Sequence, residues 1–181
     1  MGICAGFHDA YASFLYIEDK NMEINEKMME LVAALRRSNL HIATCESLTA
    51  GLFAAHVASI AHASQVLKGG IIAYQNEVKE QIVGVPAALI KQHGVVSSAC
   101  VKAMAKAVKE RIRCEIGISF SGNAGPDCLE GKPVGCVYMG IALHEECFAY
   151  ELQLKGSRNA IREQCVRIGC EEVLKLIKRA A

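Results

Sequence analysis

The chain has 181 residues, of which 52% are hydrophobic, and its formal net charge is +1. That length suits one domain able to bury a core without disulfide or metal staples, and that apolar content excludes a disordered chain. The near-neutral balance of 20 basic and 19 acidic residues excludes a global pull on nucleic acid or an anionic membrane.

Residues 1–21 are mildly apolar, but His8 and Asp9 interrupt them and no basic segment precedes them. They are expected to be an N-terminal extension to a single domain of residues 22–181, not a signal peptide. No stretch approaches the ~20 apolar residues a membrane-spanning helix needs. From Met22 to Ser38, apolar residues at Ile24, Met28, Leu31, Val32 and Leu35 have helical spacing. Leu40 to Cys45 reads as a short strand that ends in the turn Cys45-Glu46-Ser47-Leu48-Thr49-Ala50-Gly51, and Leu48 to Ile60 reads as a helix. Gly69 to Tyr74 is a buried strand. Asn76 is expected to cap a short helix through Val83, and Pro86 to open another as its first residue, ending near Gly94. Ser97 or Ser98 caps a longer helix through Arg113, with Val101, Met104, Ala105 and Val108 on one face. Glu115 to Ser121 alternates like a strand, and 122–133 is a loop rich in Gly and Pro. Gly135 to Leu143 and Phe148 to Leu154 pair as a hairpin around His144-Glu145-Glu146. Ser157 caps a closing helix to about Arg179. Helices that alternate with buried strands predict a mixed, mostly parallel sheet covered on both faces.

The nine cysteines are odd in number and form no C-x-x-C pair, which argues against a disulfide framework and a zinc cluster. They read as small apolar side chains in a reducing, cytoplasmic compartment. The six histidines lack ligand spacing, so no metal is expected. There is no G-x-G-x-x-G, Walker A, H-E-x-x-H or G-x-S-x-G motif.

What remains is a set of polar groups at strand ends, where open α/β sheets bind ligands. Ser47, Thr49 and Gly51 stand where a helix begins, and free N–H groups there favour an anion. On spacing alone the plainer reading leads, with Ser47 or Thr49 merely capping that helix. Tyr74 and Lys79 follow the second strand. A desolvated lysine beside a serine becomes a neutral amine able to act as its base. Backbone N–H groups of Ser121-Gly122-Asn123-Ala124-Gly125-Pro126 could stabilise an oxyanion, or the segment is simply a tight turn. Arg158 and Arg162 lie on the first turns of the last helix, suited to a phosphate or carboxylate. The bland alternative is a pair of surface arginines.

Taken in order, these segments resemble the C-terminal domain of CinA, the nicotinamide-nucleotide amidase family. The resemblance rests on Cys-Glu-Ser-Leu-Thr-Ala-Gly at 45–51 and Gly-Gly-Ile-Ile-Ala-Tyr-Gln-Asn-Glu-Val-Lys at 69–79. It rests also on Val83-Gly84-Val85-Pro86, on His93 to Ser97, on Ser121 to Pro126, on Lys132-Pro133-Val134-Gly135 and on Gly156-Ser157-Arg158. It runs from about residue 25 to the C-terminus and is to the stand-alone form, without the further N-terminal domain of longer CinA proteins. It implies a three-layer α/β/α sandwich and hydrolysis of the carboxamide of nicotinamide mononucleotide to nicotinic acid mononucleotide and ammonia, with no metal or organic cofactor. Carried over by position, Ser47 is the nucleophile and Lys79 the general base, with Tyr74 shuttling or positioning the proton. Ser121, Gly122 and nearby N–H groups serve the oxyanion, Thr49 and Gly51 the substrate, and Arg158, with Arg162 second, its phosphate. A small-molecule nucleotide substrate and a homo-oligomer are implied; nucleic acid and membrane are not. The chain departs from the family pattern at Ala50, where Gly is usual, at Asn123, where Ile is usual, and in a shortened loop at Asp127 to Gly131. Those departures motivate a second class of function, a non-catalytic protein that senses a pyridine nucleotide or binds a partner.

Overall fold

The computed structural model describes residues 23–180, so the expected extension of residues 1–21 lies outside the described residues. The first helix, α1, covers residues 23–37. Its residues Ile24, Met28, Leu31, Val32 and Leu35 are all buried, as their spacing requires. Then follow β1 (Ile42–Glu46), α2 (Leu52–Ala58), a 3-10 turn (Ala63–Gln65) and β2 (Leu67–Ile72). A single helical turn, α3 (Asn76–Val78), runs into a π-helical turn (Lys79–Val83), and α4 (Ala87–His93) and α5 (Ser98–Ile112) come next. The chain ends with β3 (Ile116–Gly122), β4 (Cys136–Leu143), β5 (Glu146–Gln153) and α6 (Arg158–Ala180).

The five strands form one sheet in the order β2-β1-β3-β4-β5. β1 pairs in parallel with β2 and with β3, whereas β3–β4 and β4–β5 are antiparallel. The pairings are thus evenly divided, and β4 is the strand that runs against the other four. The sheet is mixed, as expected, but the β4–β5 hairpin brings its antiparallel share up to half.

Both faces are covered, which gives the three layers. One face packs α1, α2 and α6 against Ile42, Ile116, Ile118, Phe120, Val137, Met139 and Ile141. The other packs α5 and the π-helical turn against Ala43, Cys45 and Cys136, through Cys100, Met104, Val108 and Val83. Alternate residues of β1 therefore serve opposite cores, which explains its uninterrupted burial. Gly117 lets α5 lie close on β3, because a Cβ there would stand 2.1 Å from the Ala105 carbonyl oxygen.

The strand expected to be buried over 69–74 is the edge strand β2, Leu67–Ile72, with every second residue exposed, and three helix starts also differ from the sequence expectation, each for a local reason. The helix expected from Leu48 begins at Leu52, because Ala50 (φ 49°) and Gly51 (φ 89°) are left-handed and hold the chain in a turn. Asn76 lies inside α3 instead of capping it, and the cap position falls to Gln75. Pro86 is the cap of α4 and not its first residue. Ser97 does cap α5, its hydroxyl accepting from the Cys100 N–H at 3.1 Å.

Because β1 leads to β2 on one side and lies beside β3 on the other, the connections after β1 and β3 diverge. Their carboxyl ends open a crevice at this switch point, the place where an open α/β sheet accepts a ligand. Among the described residues no helix is long and apolar enough to cross a membrane.

Candidate active site

The Ser47 N–H donates to the Phe120 carbonyl at 3.0 Å, extending the β1–β3 ladder by one bond. The chain then folds tightly, with Ala50 N–H to Ser47 O at 3.0 Å and Leu52 N–H to Thr49 O at 3.1 Å. The start of α2 has no cap from Ser47 or Thr49. Instead the buried Glu46 carboxylate accepts from the Phe53 N–H at 3.1 Å and the Ala54 N–H at 3.0 Å. Those two donors are therefore not free for a substrate anion, as the helix-start reading expected. Sequence reasoning passed over Glu46. The available signal was a carboxylate just ahead of a helix whose N-terminus prefers negative charge.

Lys79 is brought to Ser47 by the π-helical turn. A π turn carries one more residue than an α turn, and the Gly84 N–H to Lys79 carbonyl bond closes it, with the Val85 N–H reaching the same carbonyl at 2.9 Å. The lysine is 1% exposed. Its Nζ lies 3.2 Å from Ser47 Oγ, 2.8 Å from the Ala73 carbonyl and 3.3 Å from the Tyr74 carbonyl. Burial lowers its pKa from 10.5, the nearby Cys100, Cys45, Glu130 and Glu77 opposing the shift more weakly. Both protonation states of the amine find partners here. As an ammonium it donates to all three oxygens; as the neutral amine its two N–H groups would donate to the two carbonyls and leave the lone pair for the Ser47 hydroxyl.

Tyr74 is half-exposed, and its phenol oxygen accepts from Arg158 at 2.8 Å. Arg158 also donates to the Gly125 carbonyl at 2.6 Å. Ser47, Leu48, Tyr74, Gly122, Ala124, Gly125 and Arg158 border a cleft of about 500 Å³. The Leu48, Ala124 and Gly125 N–H groups have no hydrogen-bond partner among the described residues, so they are available to an oxyanion formed beside Ser47.

The remaining expected residues lie off this cleft. The Ser121 hydroxyl is buried and donates to the Val95 carbonyl at 2.7 Å, so it ties β3 to the segment before α5. Arg162 donates to the Leu48 carbonyl at 3.1 Å and the Thr49 carbonyl at 2.8 Å, and weakly to Asn159. Its guanidinium is spent on the backbone of the turn. Thr49 is fully buried, with a hydroxyl that has no partner among the described residues, and Gly51 packs toward Ile72. The exposed Ala50 methyl is not part of the cleft wall.

Asn123 knits the loop between β3 and β4. Its amide donates to the Leu129 and Lys132 carbonyls at 3.1 and 2.8 Å and accepts from the Leu129 N–H at 3.2 Å. Glu130 then reaches the Val95 and Val96 N–H groups at 2.6 and 3.1 Å. Among the described residues no group of three His, Cys, Asp or Glu side chains is placed to hold a metal.

Comparison with known proteins bears on this geometry. The profile of the CinA C-terminal domain matches residues 24–177. A Geobacillus sp. (strain WCH70) protein, whose name carries the words competence-damage inducible protein, is 46% identical over 150 residues, covering 82% of this chain and 36% of that one. A similarly named Halalkalibacterium halodurans protein is 37% identical over 186 residues, covering 95% of this chain and 44% of that one. The chain thus spans less than half the length of these relatives. Among solved structures, a CinA superfamily protein from Klebsiella pneumoniae superimposes with a TM-score of 0.84 at 25% identity, covering 86% of this chain and 98% of that one. The competence/damage inducible protein CihA from Agrobacterium tumefaciens gives 0.82 at 28% identity, covering 85% and 95%.

Proposed function

The chain belongs to the CinA C-terminal domain family, and from that premise we propose that it hydrolyses the carboxamide of nicotinamide mononucleotide to nicotinic acid mononucleotide and ammonia. The observation that carries this reading is the buried Lys79 amine 3.2 Å from Ser47 Oγ. A serine hydroxyl needs a base to become a nucleophile, and a desolvated lysine supplies one at neutral pH.

Ser47 Oγ attacks the amide carbon while its proton passes to Lys79 Nζ. The carbonyl oxygen becomes an oxyanion within reach of the Leu48, Ala124 and Gly125 N–H groups. Lys79 returns the proton to the amide nitrogen, the C–N bond breaks and ammonia leaves. Water then attacks the Ser47 ester, again losing its proton to Lys79, and the tetrahedral species collapses to the acid and free Ser47. Tyr74 contributes its carbonyl to Lys79 and its phenol to Arg158, which links the base to the anion-binding side of the cleft. Arg158 holds the substrate phosphate or, through Gly125, the wall beside it. No step draws on a metal or cofactor. A cytoplasmic, self-associating protein completes the proposal, and sedimentation of the purified chain tests the association.

The experiment is ammonia release from nicotinamide mononucleotide. The wild type is expected to release it and Ser47→Ala to fall to background; unchanged activity in Ser47→Ala would refute the mechanism. Nucleotide binding without ammonia release would favour the non-catalytic sensing role instead.

A further inference from the structure

The turn that presents Ser47 is an unusual piece of backbone. It contains two consecutive left-handed residues, one of them an alanine, and L-residues adopt that conformation only where the surroundings impose it. Two charged side chains grip it. From inside, the fully buried Glu46 carboxylate spans to the Phe53 and Ala54 N–H groups. It thereby closes a ring around residues 47–52. The Glu46 backbone carbonyl also accepts from the Ala73 N–H at 2.8 Å, which places the Ala73 and Tyr74 carbonyls that receive Lys79. From outside, Arg162 on α6 holds the Leu48 and Thr49 carbonyls. A buried carboxylate is costly unless hydrogen-bonded, and this one, at the start of the nucleophile turn, accepts from two N–H groups at the start of α2, beyond its end.

We propose that Glu46 and Arg162 are positioning residues for the reaction. Together they fix the turn so that Ser47 Oγ stands 3.2 Å from Lys79 Nζ and Leu48 lines the cleft. The inference rests on the reading of Ser47 as a nucleophile, but not on the identity of the substrate. A displacement of about 1 Å at such a centre costs on the order of 10²-fold in rate.

The test uses phenylmethanesulfonyl fluoride as a substrate-independent probe. Ser47 Oγ attacks its sulfur, the S–F bond breaks, fluoride leaves and the serine proton goes to Lys79. Adduct formation on Ser47 is followed by mass spectrometry in wild type, Glu46→Gln and Arg162→Ala, as a rate per folded molecule across pH, beside kcat and KM for nicotinamide mononucleotide. Glu46→Gln keeps one acceptor oxygen and turns an amide N–H toward the other donor. The limiting sulfonylation rate and kcat are expected to fall at least tenfold, with KM within about threefold and the pH midpoint, set by Lys79, unmoved. Arg162→Ala is expected to show the same pattern more weakly, and it decides the matter if Glu46→Gln does not fold. A purely structural role would lower the melting temperature and leave the rate per folded molecule unchanged, and that result overturns the proposal. Sulfonylation that depends on Glu46 in a protein that does not release ammonia keeps the positioning role and removes the amidase reading. Ammonia release with rates unaltered in both variants does the reverse. Folded wild type that leaves Ser47 unmodified overturns both.

Discussion

In the proposed hydrolysis the chemistry turns on Lys79. Loss of its amine is expected to lower kcat/KM at least ~10²-fold in Lys79→Ala, the usual scale for a general base. Lys79→Arg should be equally inactive, because a guanidinium stays protonated. In the wild type, kcat/KM should rise with pH through one ionisation whose midpoint lies below 10.5, since burial lowers this pKa. The stability sign follows from the same shift. Between the lowered folded value and 10.5 the unfolded chain binds more protons, so this group makes stability rise with pH. Lys79→Met removes that contribution. Its melting temperature relative to wild type should therefore be highest at low pH and decline as pH rises toward 9. Ala50 is a second residue with a measurable cost. It is left-handed, exposed and off the cleft. Ala50→Gly is expected to stabilise the protein by about 0.5–1 kcal/mol by chemical denaturation, the relief of a strained φ less the entropy of the added glycine.

Among the elements, the loop between β3 and β4 is fastened by its own side chains. Asn123 supplies three hydrogen bonds to that loop from a buried position. Glu130 and Lys132 then fasten it to the segment before α5, through the Val95 and Val96 N–H groups and the Val96 carbonyl. Asn123, Glu130 and Lys132 all belong to the loop they hold. Asn123→Ile leaves those backbone groups unpaired. It is expected to cost about 2 kcal/mol and to open residues 126–132 to limited proteolysis. The π-helical turn is the other decisive element. It carries Lys79 inward while leaving Ile82 on the surface, 55% exposed.

For the molecule as a whole, the two cores bury most of its thiols. Burial pushes Cys45, Cys165 and Cys170 up to about 12 and Cys100 up to about 11, whereas Cys128 is exposed. Iodoacetamide at pH 8 should therefore alkylate Cys128 in the native protein and spare those four until it unfolds, as peptide mapping would show. A raised thiol pKa contributes stability below 9.0 that is lost as pH climbs toward the folded value. The denaturant midpoint should accordingly fall between pH 8 and pH 10, against the smaller opposite trend from Lys79.

The sequence by itself determined the layers, the order of elements, the apolar faces of α1 and α5, and the family, because each is written in periodicity or in contiguous motifs. It also brought Ser47, Lys79, Tyr74 and Arg158 forward as a set. Tertiary structure alone decided how the other polar residues are used. The resemblance gives Ser121 an oxyanion role and residue type suits Arg162 to an anion, yet both donate to backbone carbonyls, 26 and 113–114 positions away. Glu46 looked like an ordinary residue within a motif, and only the return of α2 seven residues later gives its carboxylate two donors. The split of the pairings was equally hidden, since strand direction depends on how connections cross the sheet and not on the composition of any strand. Hydrogen-bond partners distant in sequence leave no local signature, and at this site those partners separate the groups that face the cleft from the groups that hold it in shape.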